Sequence, residues 1–380
     1  MREVYLDNCA TTRTDPDIAA AALEAMITDY GNPSSLHRKG LEAQLLLERA
    51  REQIATVLSC QPEEVYFTRG GTEANNLAIL GAYSAHRRRA THLVAGQGEH
   101  ASVLGPLKHL GEQGAEVALT PLLAEGHPDP QEMSAAVGEG TLLISCALVN
   151  SEVGGLAPIG EFARTAKAKS GRVLIHCDAV QAFGKIPISV DKLGVDMLSL
   201  SGHKLHAPKG IGALYIRKGV RIHPLMHGGQ QQRGLCPGTE SVPLAVAFGA
   251  AIEKITCDIN RNFENYQRLR KFFLKKIENF PGLCINLASE TTPYICSTSL
   301  PGYKSETLVH FLAERGMYVS GGSACAKGKD SHVLTAMGLP RERIQSALRV
   351  SFCKDTTEQD IDLFFQTLAQ AAACIARSRA

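Results

Sequence analysis

Asp178 and Lys204 each stand just beyond a short apolar run. The first follows Val173-Leu174-Ile175-His176-Cys177, and the second follows Met197-Leu198-Ser199-Leu200 through Ser201-Gly202-His203. A charge at the end of a buried strand is costly unless a partner compensates it. A third run, Val65-Tyr66-Phe67, passes into Thr68-Arg69-Gly70-Gly71-Thr72-Glu73, two glycines and a hydroxyl at a helix start. Such a turn offers backbone N–H groups to a phosphate, although Thr72 there equally suits a plain N-cap. Taken singly, an Asp or a Lys is usually a surface or capping residue. At the ends of adjacent strands, with this turn upstream, they match what pyridoxal phosphate requires. Those needs are an amine for covalent attachment, an acid against the pyridine nitrogen and an anchor for the phosphate.

Cys325 stands out among eleven cysteines, which form no C-x-x-C pair and no zinc spacing, so no metal site is expected. It lies in Gly321-Gly322-Ser323-Ala324-Cys325-Ala326-Lys327-Gly328-Lys329, a polar, glycine-rich stretch that reads as an exposed loop. Lys327 and Lys329 favour the thiolate, the reactive form. Cys9, Cys146 and Cys177 sit in or after apolar runs and read as packing residues.

The scaffold for these residues is legible as alternation. Runs at 65–67, 91–95, 141–148, 173–177 and 197–200 read as buried strands, and 72–82 and 161–169 as amphipathic helices between them. Alternating strands and helices imply an α/β fold with a largely parallel sheet covered on both faces. Ligands of such a sheet sit beyond the carboxyl ends of its strands. One long helix is expected over 242–279, ending at Phe280-Pro281-Gly282. Strands near 293–299 and 347–352 and helices near 305–315 and 356–376 then read as a smaller α+β domain.

Composition narrows the function classes. Lys plus Arg number 40 against 38 Asp plus Glu, which gives no reason to expect nucleic acid as a partner. Arg87-Arg88-Arg89 reads as a solvated helix end. No apolar stretch is long enough to span a bilayer, and the first residues carry no signal-peptide pattern. A cytoplasmic location with reduced thiols is the expectation.

Ser-Gly-His-Lys at 201–204, His-Cys-Asp-Ala-Val-Gln at 176–181 and Tyr-Leu-Asp-Asn-Cys-Ala-Thr-Thr at 5–12 resemble the NifS/IscS-type cysteine desulfurases. Glu99-His100, Asn150-Ser151-Glu152-Val153-Gly154, Gly234 to Thr239, Ser320 to Cys325 and Leu348-Arg349-Val350-Ser351 follow in the same order, so the resemblance covers nearly the whole chain. It implies the pyridoxal-phosphate transferase fold of type I. Residues 13–255 would form a large cofactor-binding domain with a mixed, mostly parallel seven-stranded sheet, and 1–12 with 256–380 a smaller domain. It implies that Lys204 binds the cofactor covalently and moves protons, that Asp178 pairs with the ring nitrogen, and that His100 stacks on the ring as an acid/base. Asn150 and Gln181 would bond ring substituents, and Gly71, Thr72, Ser201 and His203 the phosphate, completed by Thr239 from the partner subunit of a homodimer. Arg349, with Asn150, would hold the carboxylate of substrate L-cysteine. Cys325 would take the sulfur as a persulfide and pass it to an acceptor such as an iron–sulfur scaffold protein, leaving alanine.

Departures from the family pattern are Cys236 where an arginine is usual, Ser241 for Asn, Arg69 for Ser and Cys353 for Gly. Loss of the arginine's charge at Cys236 weakens the phosphate and dimer region, and Arg69 offsets part of it. Competing readings are a selenocysteine lyase, a related transaminase, against which Cys325 argues, and a cofactor-binding scaffold without turnover.

Overall fold

The computed structural model describes residues 2–286, 291–322 and 330–377. Its strands are β1 (Val4–Tyr5), β2 (Val65–Thr68), β3 (His92–Gly96), β4 (Glu116–Thr120), β5 (Thr141–Ala147), β6 (Leu174–Asp178), β7 (Met197–Ser201) and β8 (Gly212–Ile216). Four short ones follow, β9 (Cys284–Ile285), β10 (Ile295–Ser299), β11 (Met317–Tyr318) and β12 (Ser320–Gly321), and then β13 (Ala347–Ser351). Seven form one sheet in the order β2-β8-β7-β6-β5-β3-β4. Only β8 opposes the others, pairing antiparallel with both β7 and β2. A connection of ten residues leaves β7 no room for a crossover helix, so the chain returns antiparallel.

The five runs read as strands are β2, β3, β5, β6 and β7. Two strands escape the periodicity. β4 is an edge strand whose residues are mostly exposed or half-buried, and β8 lies too close behind Lys204 to read as separate. The smaller C-terminal part carries the sheet β12-β13-β10-β9, covered by helices Ser305–Ala313 and Glu358–Cys374. Phe273 packs its ring 5.1 Å from that of Phe365 and 6.0 Å from that of Phe364.

The single helix expected over 242–279 is two. Val242–Cys257 ends at Asp258 (φ −113°, ψ 14°), and Ile259–Glu278 begins there. Thr256 turns its hydroxyl back to the Ile252 carbonyl at 2.7 Å, a bond that bends helices, and aspartate is a poor helix-interior residue.

Inside the sheet, His176 bridges two neighbours. Its Nδ1 meets Ser145 Oγ at 2.8 Å and its Nε2 meets Ser199 Oγ at 2.9 Å. Burial pushes its pKa down to about 4, with Asp178 opposing. The neutral ring is favoured in the fold, so the unfolded chain takes up a proton that the fold refuses between about pH 6.5 and pH 4. Stability from this group is therefore lost as pH falls through that window, by about 3 kcal/mol in full. His176→Gln is expected to flatten the pH slope of unfolding free energy by about 1.4 kcal/mol per unit there, as read by urea titrations from pH 7 to 4.5. An unchanged slope would show that His176 does not carry the effect.

Candidate active site

The carboxyl ends of β5, β6 and β7 open on a cavity of about 260 Å³. Gly71, Thr72, His100, Asn150, Asp178, Gln181, Ser201, His203 and Lys204 all line it. Asp178 is the last residue of β6 and Ser201 the last of β7, and Lys204 ends a tight 3-10 turn, Gly202–Lys204.

At one wall the helix Gly71–His86 presents its N-terminus. Its N-cap is Gly70, in a conformation (φ 151°) that favours glycine, with no side-chain cap. Thr72 is therefore not the N-cap, and it lines the cavity alongside the uncapped first turn of the helix. A Cβ at Gly71 would come 2.7 Å from Val180 Cγ2. Ser201 Oγ is buried there without a hydrogen-bond partner. An uncapped helix start, a glycine that admits no side chain and an orphaned hydroxyl make a cradle fitted to a phosphate. His203 beside it bonds Thr11 Oγ1 at 3.1 Å, and burial, with Lys204, Lys209 and Lys185, pushes its pKa down to about 4. It stays neutral at pH 7.

Asp178 accepts from Val180 N at 3.0 Å and from Asn75 Nδ2 at 2.8 Å. Lys204 donates to the Cys9 carbonyl and, at 2.8 Å, to that of Ala10. Burial lowers its pKa to about 8; Lys185 and Arg349 lower it further, while Cys9 and Asp7 oppose. An amine so tuned is partly neutral, hence nucleophilic, at physiological pH. Gln181 donates to Cys9 O at 2.9 Å and accepts from the buried Lys185 at 3.3 Å. Asn150 spends its carbonyl oxygen on the N–H groups of Glu152 and Val153 and one amide hydrogen on Gly98 O.

Two expected residues lie elsewhere, Thr239 and Arg349. Thr239 lines a second groove with Arg69, Glu73 and Cys236. Burial and Glu73 push the Cys236 thiol up to about 12, while the Arg69 charge opposes them. Arg349 is buried directly behind Ser151, a wall residue of the cavity. It donates to Ser151 O and to Asp7 Oδ1, both at 2.9 Å, and to Ser320 Oγ at 3.2 Å, while its Nε has no partner. Cys325 lies outside the described residues.

Sequence reasoning missed Asn75, Ser102 and Lys185. Asn75 looks like an ordinary helix polar residue, and its one signal is its place a turn after Gly71 on the same helix face. Glu99, quoted only beside His100, is buried with both carboxyl oxygens on Ala147 N at 2.9 and 3.0 Å, and burial pushes its pKa up to about 8.

With this fold and cavity, the chain belongs to the aminotransferase class-V family, whose profile matches residues 4–364. Among curated relatives it is 38% identical over 371 residues to the protein named cysteine desulfurase IscS of Dictyoglomus turgidum, covering 97% of this chain and 94% of that one. It is 37% identical to a mitosomal cysteine desulfurase of Encephalitozoon cuniculi, covering 97% and 87%. Among solved structures, a NifS-like protein superposes with a TM-score of 0.93 at 37% identity over 98% of this chain and all of that one. SspA in complex with cysteine gives 0.81 at 34% identity over 92% and 98%. The large mixed sheet with a smaller C-terminal domain is the architecture these neighbours share.

Proposed function

We propose that this protein is a pyridoxal-phosphate-dependent cysteine desulfurase that converts L-cysteine to L-alanine and carries the sulfur away as a persulfide on Cys325. The observation that carries the reading is the convergence of the Lys204 amine, the Asp178 carboxyl and the uncapped helix start in one cavity. The residues fit the cofactor: Gly71, Thr72, Ser201 and His203 at its phosphate, Asp178 at its ring nitrogen, Gln181 and Asn150 at ring substituents, and Lys204 for covalent attachment. When bound, pyridoxal phosphate supplies an electron-accepting ring that weakens the bonds at the α-carbon of an attached amino acid.

The chain's own residues do the rest. Lys204, released from the Cys9 and Ala10 carbonyls, takes the α-proton. Arg349 and Asn150 hold the substrate carboxylate. The Cys325 thiolate attacks the substrate sulfur; an S–S bond forms, the Cβ–S bond breaks, Cβ gains a proton, and Lys204 returns a proton to the α-carbon to give alanine. His100 at the cavity wall is placed to supply protons.

The site is composite in a homodimer. Leu23, Met26, Ile27, Tyr30, Leu41 and Leu45 expose apolar side chains on the first two helices and the turn between them, a patch of the kind that marks an interface. Thr239, which lines a second groove rather than its own cavity, serves the partner's phosphate. We assign residues 13–255 to the large domain and 1–12 with 256–380 to the small one, because β1 pairs with β11 and Asp7 bridges to Ser351. Among the described residues no helix is long and apolar enough to cross a membrane. A cytoplasmic location fits that, and an iron–sulfur scaffold fits as the sulfur acceptor.

The test gives purified protein L-cysteine and a reducing thiol and follows alanine and sulfide together. Wild type is expected to release both in equal amounts. Cys325→Ala is expected to bind cofactor normally and lose at least roughly 10²-fold of the sulfide rate. Alanine production undiminished in Cys325→Ala would overturn the persulfide role. Turnover of selenocysteine alone would assign the site to a selenocysteine lyase.

A further inference from the structure

A chain of hydrogen bonds runs from Asp178 to His100 through two side chains to which no role has been given. Asn75 Nδ2 lies 2.8 Å from Asp178 Oδ2 and 2.8 Å from Ser102 Oγ. Ser102 Oγ in turn lies 2.7 Å from His100 Nδ1. The direction of each bond follows from the anion at one end. A carboxylate only accepts, so the Asn75 amide turns its NH₂ group toward Asp178. A flipped amide would set oxygen against oxygen. The observed orientation leaves Asn75 Oδ1 buried without a partner, a cost the carboxylate's demand for a donor explains. With one Asn75 hydrogen on its oxygen, Ser102 sends its own hydrogen to His100 Nδ1. The backbone N–H of Ser102 points at the same nitrogen from 3.1 Å.

Two donors on Nδ1 exclude a hydrogen there. The geometry points to Asn75 and Ser102 as positioning residues that hold His100 as the neutral imidazole with its proton on Nε2, the nitrogen not engaged by the chain. His100 then enters the reaction as a neutral hydrogen-bond donor through Nε2. Protonation to imidazolium would need Nδ1–H, which would set it against the Ser102 backbone N–H and force the Ser102 hydroxyl to reverse. The charged and titratable groups facing the ring act on this balance too. They are Asp178 at the end of β6, Lys204 after β7, His332 at the start of the helix His332–Ala336, and the adjoining Glu99. Burial holds the ring pKa below the ordinary value, Lys204 and His332 lower it further, and Asp178 opposes them.

The inference deepens the proposed function by naming which proton His100 carries, and it rests on that reading for its catalytic meaning. Its test does not need turnover. Protein labelled with ring-¹⁵N histidine reports the tautomer of His100 through two-bond ¹H–¹⁵N correlations, with His100→Gln giving the assignment. Wild type is expected to show a bare Nδ1 and a protonated Nε2 at pH 7. Ser102→Ala is expected to raise the His100 pKa by about one unit, the value of one hydrogen bond. Asn75→Leu is expected to raise it similarly, and the Asn75 effect should vanish in the Ser102→Ala background, because Asn75 acts through Ser102. The acid limb of kcat should move with the NMR pKa while KM stays in place. An Nδ1–H tautomer or an imidazolium in wild type at pH 7 would overturn the inference, as would an Asn75 effect that survives without Ser102. Failure to make alanine would count against the desulfurase reading and leave the tautomer result standing.

Discussion

Lys204→Ala is expected to show no measurable alanine formation, a loss of roughly 10⁴-fold or more, with the fold intact by circular dichroism. Among the described residues no other lysine lines the cavity. Lys185 is the other lysine near it, and that side chain is buried against Gln181 and the Tyr294 ring, 4.9 Å from its centroid. The pH behaviour of Lys204 follows from its surroundings. Its amine is held near pKa 8 chiefly by burial, about 3 kcal/mol of bias toward the neutral form relative to an exposed lysine. Only the neutral amine attacks an aldehyde. The rate at which cofactor-free protein combines with pyridoxal phosphate should therefore climb with pH, reach half its plateau near pH 8 and level above it. Stopped-flow absorbance between pH 6.5 and 9.5 measures this. A midpoint near 10.5 would mean that Lys204 is solvated before the cofactor arrives, and the cavity described above would not be the reactive one. Arginine at 204 keeps a cation but cannot lose its proton, so it should be as inactive as alanine.

Arg349→Ala is the second large effect. The guanidinium is 4% exposed, paired with Asp7, and separated from the cavity only by Ser151. Removing a buried, hydrogen-bonded charge costs about 3–5 kcal/mol, or roughly 10²–10³ in kcat/KM if the cost falls on substrate capture. The expected pattern is a KM for L-cysteine raised far more than kcat is lowered. Arg349→Lys should recover part of this, because it restores the charge without the two-pronged fork. A variant that loses thermal stability yet keeps its KM would make Arg349 a strut for Asp7 and Ser151. In that outcome another group must hold the carboxylate, and Asn150 is the nearest candidate.

How far the sequence was readable depended on where each residue's partner lies. Asp178 and Lys204 were legible because polar residues closing apolar runs mark strand ends, and strand ends converge in a sheet of this kind. The cradle at Gly71 was half legible. The two glycines announced a close approach, but the same spacing suited a cap at Thr72, and only the fold showed Gly70 taking that place. Asn75 and Ser102 were invisible because their meaning lies in contacts across 27 and 103 positions of sequence, which no local pattern encodes. The break at Asp258 was missed because apolar periodicity continues across it, and a helix kink is set by local backbone bonds to which periodicity is blind. Thr239 was placed by resemblance alone; it lines a second groove and not the cavity of its own chain.

The residues from Val4 to Thr12 hold a consequence for how the molecule is made. Val4 bonds Gly316, Asn8 bonds the carbonyl of Ser351, Cys9 and Ala10 offer their carbonyls to Lys204, and Thr12 bonds His203. This segment is synthesised roughly three hundred residues ahead of its partners at 316 and 351. The lysine's carbonyl acceptors therefore cannot settle until residues 316 and 351 have been made. A large, mostly parallel sheet can be assembled earlier, from strands that all lie between residues 65 and 216, but the growing chain would carry it with an unfinished floor to its cavity. Contacts of such long sequence separation form late. The closing of residues 4–12 over the cavity thus acts as a late stitch of folding, made only after the smaller sheet has formed.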